Sequence, residues 1–276
     1  MFPLEILKSI LFGIVEGITE WLPVSSTGHL ILLGELLRFD ASDAFYELFD
    51  VVIQLGAICA VIVIYRQRLV PLHKSVGERR QTYRLWWLTL LGVLPSAVAG
   101  LFFDDLLDAY FYNPLTVAVM LVAYGVAFIA VERAKRGSEP SFSDISELTP
   151  KRALLVGLFQ VLSLIPGTSR SGATILGAYL CGASRPLAAE FSFFLAIPTM
   201  AGAGALKAAK FFFEGNVLSL TEIAILLVGT LTAFFISLVS VRFLTELVRR
   251  HSFSGFGVYR IVLGALVLIY YFAGRL

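Results

Sequence analysis

Two short polar stretches interrupt sequence that is otherwise apolar enough to lie in a bilayer. Residues 16–29 read EGITEWLPVSSTGH, and residues 166–172 read PGTSRSG. The first holds Glu16, Glu20, Ser25, Ser26, Thr27 and His29; the second holds Thr168, Ser169, Arg170 and Ser171. Ionisable groups at membrane depth are costly and rare, and they mark function. Any fold open to this chain must bring both stretches out of contact with lipid. The composition excludes a water-soluble reading: 58% of residues are hydrophobic, 15% are charged and the mean hydropathy is +0.83, where soluble domains carry about a quarter charged residues. A net charge of +2 implies no polyanion-binding surface, and no nucleic-acid partner is expected. Cys59 and Cys181 lie in separate apolar runs and are expected as small buried hydrophobes. The opening MFPLEILKSI lacks a basic leader region, so no removable signal peptide is expected there.

A helix needs about 20 apolar residues to cross the hydrocarbon core. Residues 48–65, 86–103, 114–132 and 222–241 meet that length; 257–273 is slightly shorter, and 188–206 carries Glu190, Ser192 and Pro198. Two regions do not fit single spans. Residues 4–37 and 153–182 each consist of an apolar run, a polar knot and a second short apolar run. Each reads as a re-entrant hairpin, helix in and helix out, with its irregular turn sheltered by protein. The expected fold is an all-α integral membrane protein, residues 1–276 in one membrane domain, with six transmembrane helices and two re-entrant helical hairpins.

The halves resemble each other. Gly13, Glu16, Pro23, Ser26 and Gly28 run parallel to Gly157, Gln160, Pro166, Ser169 and Gly172, allowing one-residue slips. Two repeats follow, about 1–136 and 150–276, joined by a polar linker at 137–149 that is expected in solvent. One hairpin plus three spans per repeat is an odd number, so the second repeat is inverted. Basic residues agree. The loop 66–84 holds Arg66, Arg68, Lys74, Arg79, Arg80 and Arg84, and the linker region and the loop 242–256 are also basic, whereas 104–113 and 211–221 hold no Lys or Arg. Positive charge stays cytoplasmic, which puts both termini in the periplasm. Inverted repeats with broken helices meeting near the midplane are also a transporter architecture.

Glu16 and Glu20 are four residues apart and share a helix face. Two carboxylates there need a divalent cation or a shared proton. Pro23 and Gly28 shape a turn that presents Ser26, Thr27 and His29. Ser26 and His29 are a candidate nucleophile and base, and His29 is itself a candidate attacker or acid; helix capping by the same hydroxyls is compatible with either. In PGTSRSG, helix-start amides favour an anion, and Arg170 supplies a two-donor phosphate clamp or an ion pair with a glutamate. Thr168, Ser169 and Ser171 cap or contact the ligand. Glu47 and Glu190 are expected to pair inside the bundle, and Gln54 and Gln160 to hydrogen-bond between helices. Asp104, Asp105 and Asp108 are expected as a solvated outer loop, and His73 and His251 as surface residues. There is no GxxxxGKS loop, which argues against an ATP-driven pump or kinase.

EGITEWLPVSSTGH and PGTSRSG resemble the two signature motifs of the bacterial undecaprenyl-pyrophosphate phosphatase family, the bacitracin-resistance proteins, and FDVVIQLGAI and EFSFFLAIP extend the likeness over nearly the whole chain. That resemblance implies an inner-membrane hydrolase that converts undecaprenyl pyrophosphate to undecaprenyl phosphate for cell-wall synthesis. It implies a divalent cation, magnesium or calcium, and a site opening to the periplasm. Carried over by motif, Glu16, Glu20, Ser26, His29 and Arg170 would be the functional residues and Thr27 and Ser169 would line the site; Glu20, Ser26, His29 and Arg170 are then expected to be catalytic, Glu16 and Glu20 to hold metal, and Thr27, Thr168, Ser169, Arg170 and Ser171 to bind substrate. Ser26, His29 and water are all compatible attackers on phosphorus. Gln160 and Leu164 stand where the second repeat would carry glutamates, so the chemistry is expected in the first knot, with Arg170 reaching across. The partners expected are the polyprenyl pyrophosphate and membrane lipid; a homodimer is compatible with the sequence, which leaves the oligomeric state open. The rival function is a polyprenyl-phosphate transporter or flippase.

Overall fold

The computed structural model describes residues 2–72, 75–111 and 113–274. His73 and Lys74 lie outside the described residues, as do the side chains of Asp104, Asp105 and Asp108. The chain is nearly all helix: α1 (Phe2–Thr19), α2 (Ser26–Leu36), α3 (Asp43–Ile64), the short α4 (Arg66–Leu69), α5 (Val76–Phe111), α6 (Pro114–Ala134), α7 (Pro150–Val161), α8 (Arg170–Leu180), α9 (Arg185–Phe213), α10 (Leu220–Arg250) and α11 (Ser254–Phe272). Among the described residues, α3, α5, α6, α9, α10 and α11 are long and apolar enough to cross a membrane. These correspond to the six spans expected from apolar length. The helices run longer than the apolar windows, because charged ends such as ERRQTYR on α5 and TELVRR on α10 continue the helix.

Local chemistry sets the boundaries. Ser42, Asn113, Thr149 and Ser219 each cap a helix by accepting the backbone N–H three residues on. Pro114 and Pro150 occupy first helical positions, where the missing N–H costs nothing. The linker is largely solvent-exposed, as expected, but Phe142 and Leu148 are buried and pin it to the bundle, with a capping box of Asp144 and Glu147 between them. Hydrogen bonds from Ser146 hold the Asp144 carboxyl below its ordinary range.

Loops sort to two ends. At one, Arg68 pairs with Glu190, Arg84 donates to the Leu148 carbonyl at 2.7 Å, and Arg185 forks onto Glu132 at 2.8 and 2.7 Å. The Ser141 N–H also donates to the Gly182 carbonyl there at 2.8 Å. At the other, Lys207 pairs with Glu47 at 3.0 Å and Lys8 with Glu5 at 2.7 Å. Glu190 thus pairs with an arginine as expected, whereas Glu47 pairs with a lysine and its side chain is largely exposed rather than inside the bundle. Gln160 donates to Ser96 at 2.6 Å and Thr199 at 3.1 Å, an interhelical role as expected.

Helix pairs close on glycine. A Cβ built on Gly13 of α1 would lie 2.6 Å from the Gly229 carbonyl of α10, and one on Gly157 of α7 would overlap the Gly92 carbonyl of α5. On α6 and α11, a Cβ on Gly125 would lie 2.7 Å from the Gly257 carbonyl, and one on Gly257 2.6 Å from that of Gly125. Small residues allow such approach where lipid offers no hydrophobic drive. Gly157→Ala is therefore expected to destabilise the protein by the ~1–3 kcal/mol of an overpacked core. Gly34→Ala, with nothing within 4 Å, is expected to leave stability unchanged or slightly raised; melting temperatures in detergent check both.

Candidate active site

Each polar knot is a turn between two helices, and the two turns are built alike. α1 ends at Thr19, and Leu22 cannot stay helical before Pro23. Ser25 then takes φ 74° and caps α2, its Oγ accepting the Gly28 N–H at 3.3 Å. After α7 the chain passes through Gly167 at φ 89°, and Ser169 at φ 72° caps α8, its Oγ accepting the Gly172 N–H at 3.1 Å. Ser25 and Ser169 are the two non-glycine residues with positive φ among the described residues. That conformation costs about 1–2 kcal/mol each and concentrates at functional sites. The sequence pairing placed Ser26 opposite Ser169. The capping geometry instead pairs Ser25 with Ser169 and therefore Ser26 with Arg170, one of the one-residue slips.

Glu20 is the hub. Its Oε1 accepts from Arg170 Nη2 at 2.7 Å, and its Oε2 accepts from Ser26 Oγ at 2.6 Å. Arg170 Nη1 donates to the Ser192 carbonyl at 2.8 Å and lies 3.3 Å from Ser192 Oγ, and the guanidinium sits 5.7 Å from the Trp21 ring. Ser171 Oγ donates to the Leu22 carbonyl at 3.2 Å, a second tie between the turns. Glu20, Ser26, Arg170 and Ser171 are thus brought together. Glu16 lies one helical turn from Glu20 and is fully buried, with neither carboxylate oxygen hydrogen-bonded. Thr168 is also fully buried, its Oγ1 unpartnered; Ser169 Oγ lies 3.1 Å from Ser171 Oγ. Thr27 is half-buried beside Ser26 and takes part in none of these bonds.

His29 is held elsewhere. Its Nδ1 is 2.7 Å from the Ser25 carbonyl, a contact that requires N–H on that nitrogen. Nε2 is 2.6 Å from the Tyr259 hydroxyl, and the rings stack. Ser26 donates to Glu20 rather than to His29. Sequence reasoning missed Ser192, Tyr259 and Arg260, although an arginine inside the apolar stretch 257–273 was a signal by the same cost argument that singled out Arg170.

The unpartnered groups say what the site accepts. Among the described residues, nine buried side-chain polar atoms lack a partner, and six of them belong to Glu16, Trp21, Thr168, Arg170 and Arg260, in or against the two turns. Buried polar groups are normally satisfied, so this concentration fits a polar, charged occupant. No group of three or more His, Cys, Asp or Glu side chains is arranged to hold a metal among the described residues. Two carboxylates, one of them unpartnered, still suit a cation that completes its shell with phosphate oxygens and water.

The family model described as bacitracin resistance protein BacA matches residues 9–266. The chain belongs to that family. Among its relatives, a protein of Streptococcus pyogenes serotype M4 (strain MGAS10750) named undecaprenyl-diphosphatase is 52% identical over 274 residues, 99% of this chain and 98% of that one. A protein of the same name from S. pyogenes serotype M1 is 51% identical over the same extent. Both polar stretches of this BacA-family chain fall within the match. Removing one partner of a buried ion pair costs about 3–5 kcal/mol, so Glu20→Ala is expected to lower stability as well as activity. Arg170→Met added to that variant is expected to recover part of the stability; denaturant melts in detergent measure the coupling, and purely additive losses would mean that the pair is not coupled.

Proposed function

We propose that this chain is an undecaprenyl-diphosphatase, hydrolysing undecaprenyl pyrophosphate to undecaprenyl phosphate and phosphate for carrier-lipid recycling. The observation that carries the reading is the Ser26–Glu20–Arg170 chain of hydrogen bonds across the two turns. It joins a nucleophile, a base and a phosphate-binding cation on one carboxylate. In this reading Ser26 Oγ attacks the terminal phosphorus while Glu20 takes its proton. The Oγ–P bond forms, the bridging P–O bond breaks, and undecaprenyl phosphate leaves; water then hydrolyses the phosphoserine and releases phosphate. An arriving phosphate competes with Glu20 for Arg170. Thr168, Ser169 and Ser171 line the approach of the phosphate. His29, anchored by Ser25 and Tyr259, shapes the wall of the site. Glu16 and Glu20 would hold a magnesium or calcium ion, which when bound neutralises charge on the pyrophosphate oxygens.

The same reading places the chain in the bacterial plasma membrane as an inverted repeat, with α1–α2 and α7–α8 as re-entrant hairpins. Several features support it. Ser25 and Ser169 match in conformation and cap. Gly13 approaches Gly229 on α10 as Gly157 approaches Gly92 on α5, and α6 and α11 meet through reciprocal glycines. The end that gathers Arg68, Arg84, Lys135 and Arg185 is cytoplasmic by the positive-inside rule; this reading has the active site open to the opposite, periplasmic side.

Purified protein is expected to release phosphate from undecaprenyl pyrophosphate, to stop with chelator and to resume with magnesium. Ser26→Ala is expected to slow release on the order of a thousandfold or more. Full activity in that variant would hand the attack to water or His29; no release by the wild type would favour the transport reading. In a cysteine-free background, Val217→Cys is expected to react with a membrane-impermeant reagent added outside and Arg79→Cys to stay unlabelled; the reverse pattern overturns the orientation.

A further inference from the structure

Arg260 is fully buried in α11. Among the described residues its guanidinium meets no carboxylate. Nη1 donates to the Pro23 carbonyl at 3.1 Å, and Nη2 donates to the carbonyls of Gly167 at 2.8 Å, Thr168 at 3.0 Å and Met120 at 3.4 Å. The Tyr124 ring lies 5.5 Å away. A buried charge without a counterion is disfavoured relative to an apolar side chain of the same size, so packing alone does not account for it. What it holds is specific. Pro23 belongs to the turn that delivers Glu20 and Ser26, and Gly167 and Thr168 belong to the turn that delivers Arg170. A planar, multi-donor guanidinium suits such bridging, where a lysine would offer one point of attachment.

We propose that Arg260 is a positioning residue of the hydrolysis, setting the separation between Ser26 and Glu20 on one turn and Arg170 on the other. This rests on the phosphatase reading above. Every carbonyl that Arg260 binds points its oxygen at the guanidinium, so each peptide unit is polarised with its N–H end away from Arg260. The buried charge therefore also makes the surroundings of the turns favourable to an anion. A methyl on Gly172, in the first turn of α8, would stand 3.3 Å from Arg260 Nη1 and 3.2 Å from Ser169 Cβ. The cation thus backs directly onto the start of the helix that carries Arg170.

The test measures phosphate release from undecaprenyl pyrophosphate by the full-length protein with magnesium, for wild type, Arg260→Gln, Arg170→Lys and the double variant. Arg260→Gln is expected to lower kcat about ten- to a hundredfold, as a displaced catalytic group does, with KM little changed. Because Arg260 acts through the placement of Arg170, the double variant is expected to be no slower than the slower single one. An unchanged kcat, or losses that multiply, would overturn the proposal in favour of a purely structural tether. Should Arg260→Gln fail to fold, Arg260→Lys decides: it keeps the buried charge and loses the planar, multi-donor bridge between the turns. Its kcat is expected to fall, again without adding to the Arg170→Lys loss, and full activity would overturn the proposal. Wild-type protein that releases no phosphate would overturn this inference together with the function on which it rests, whereas an active wild type beside an equally active Arg260→Gln would remove this inference alone.

Discussion

Glu20 and Arg170 are 150 residues apart in the chain and meet at 2.7 Å inside the bundle. In a low-dielectric interior each group is costly alone, and removing either leaves the other a buried charge without its partner. That condition forces the two turns to one depth and one side of the interior. α2, α7 and α8 are too short to reach across a bilayer, so the turns they flank need the longer helices around them as cover. The six long helices are in this sense a wall built around one ion pair and the unpartnered groups beside it.

Those unpartnered groups also explain why the site is not simply a stable polar core. A satisfied network rigidifies, whereas an incompletely satisfied one is costly until something completes it. Glu16 offers two carboxylate oxygens with no donor, and Thr168 a hydroxyl with no partner. Gln160 of α7, by contrast, donates its amide nitrogen to Ser96 and Thr199 and so serves packing between helices.

Much of this was legible in the sequence because the membrane makes the rules strict. Apolar length located the long helices, and the cost of burying Glu16, Glu20 and Arg170 singled out the two stretches that the fold brings together. Legibility ended where side chains choose among acceptors. The sequence offered Arg170 a phosphate or a glutamate, and the fold shows the glutamate. It offered Ser26 to His29 by spacing, but α2 turns the imidazole toward Tyr259 on α11. A contact spanning 230 residues has no local signature. The sequence left a one-residue slip open between the two knots because hydroxyls occur at both Ser25 and Ser26, and only the backbone tells which one caps. Arg260 was passed over because it sits in an otherwise uninterrupted apolar run, without the cluster of hydroxyls that drew attention to Arg170.

The glycine seams have a thermodynamic consequence. Where α1 meets α10, α7 meets α5 and α6 meets α11, backbone lies against backbone. In lipid, separating such helices exchanges protein contact for acyl-chain contact, and no apolar surface passes into water. The large heat-capacity change that curves the stability of water-soluble proteins comes from hydrating apolar surface. Helix association along these seams is therefore governed by dispersion and close-range Cα–H···O contacts, and its free energy varies nearly linearly with temperature, without the cold-side downturn that hydration imposes on soluble domains.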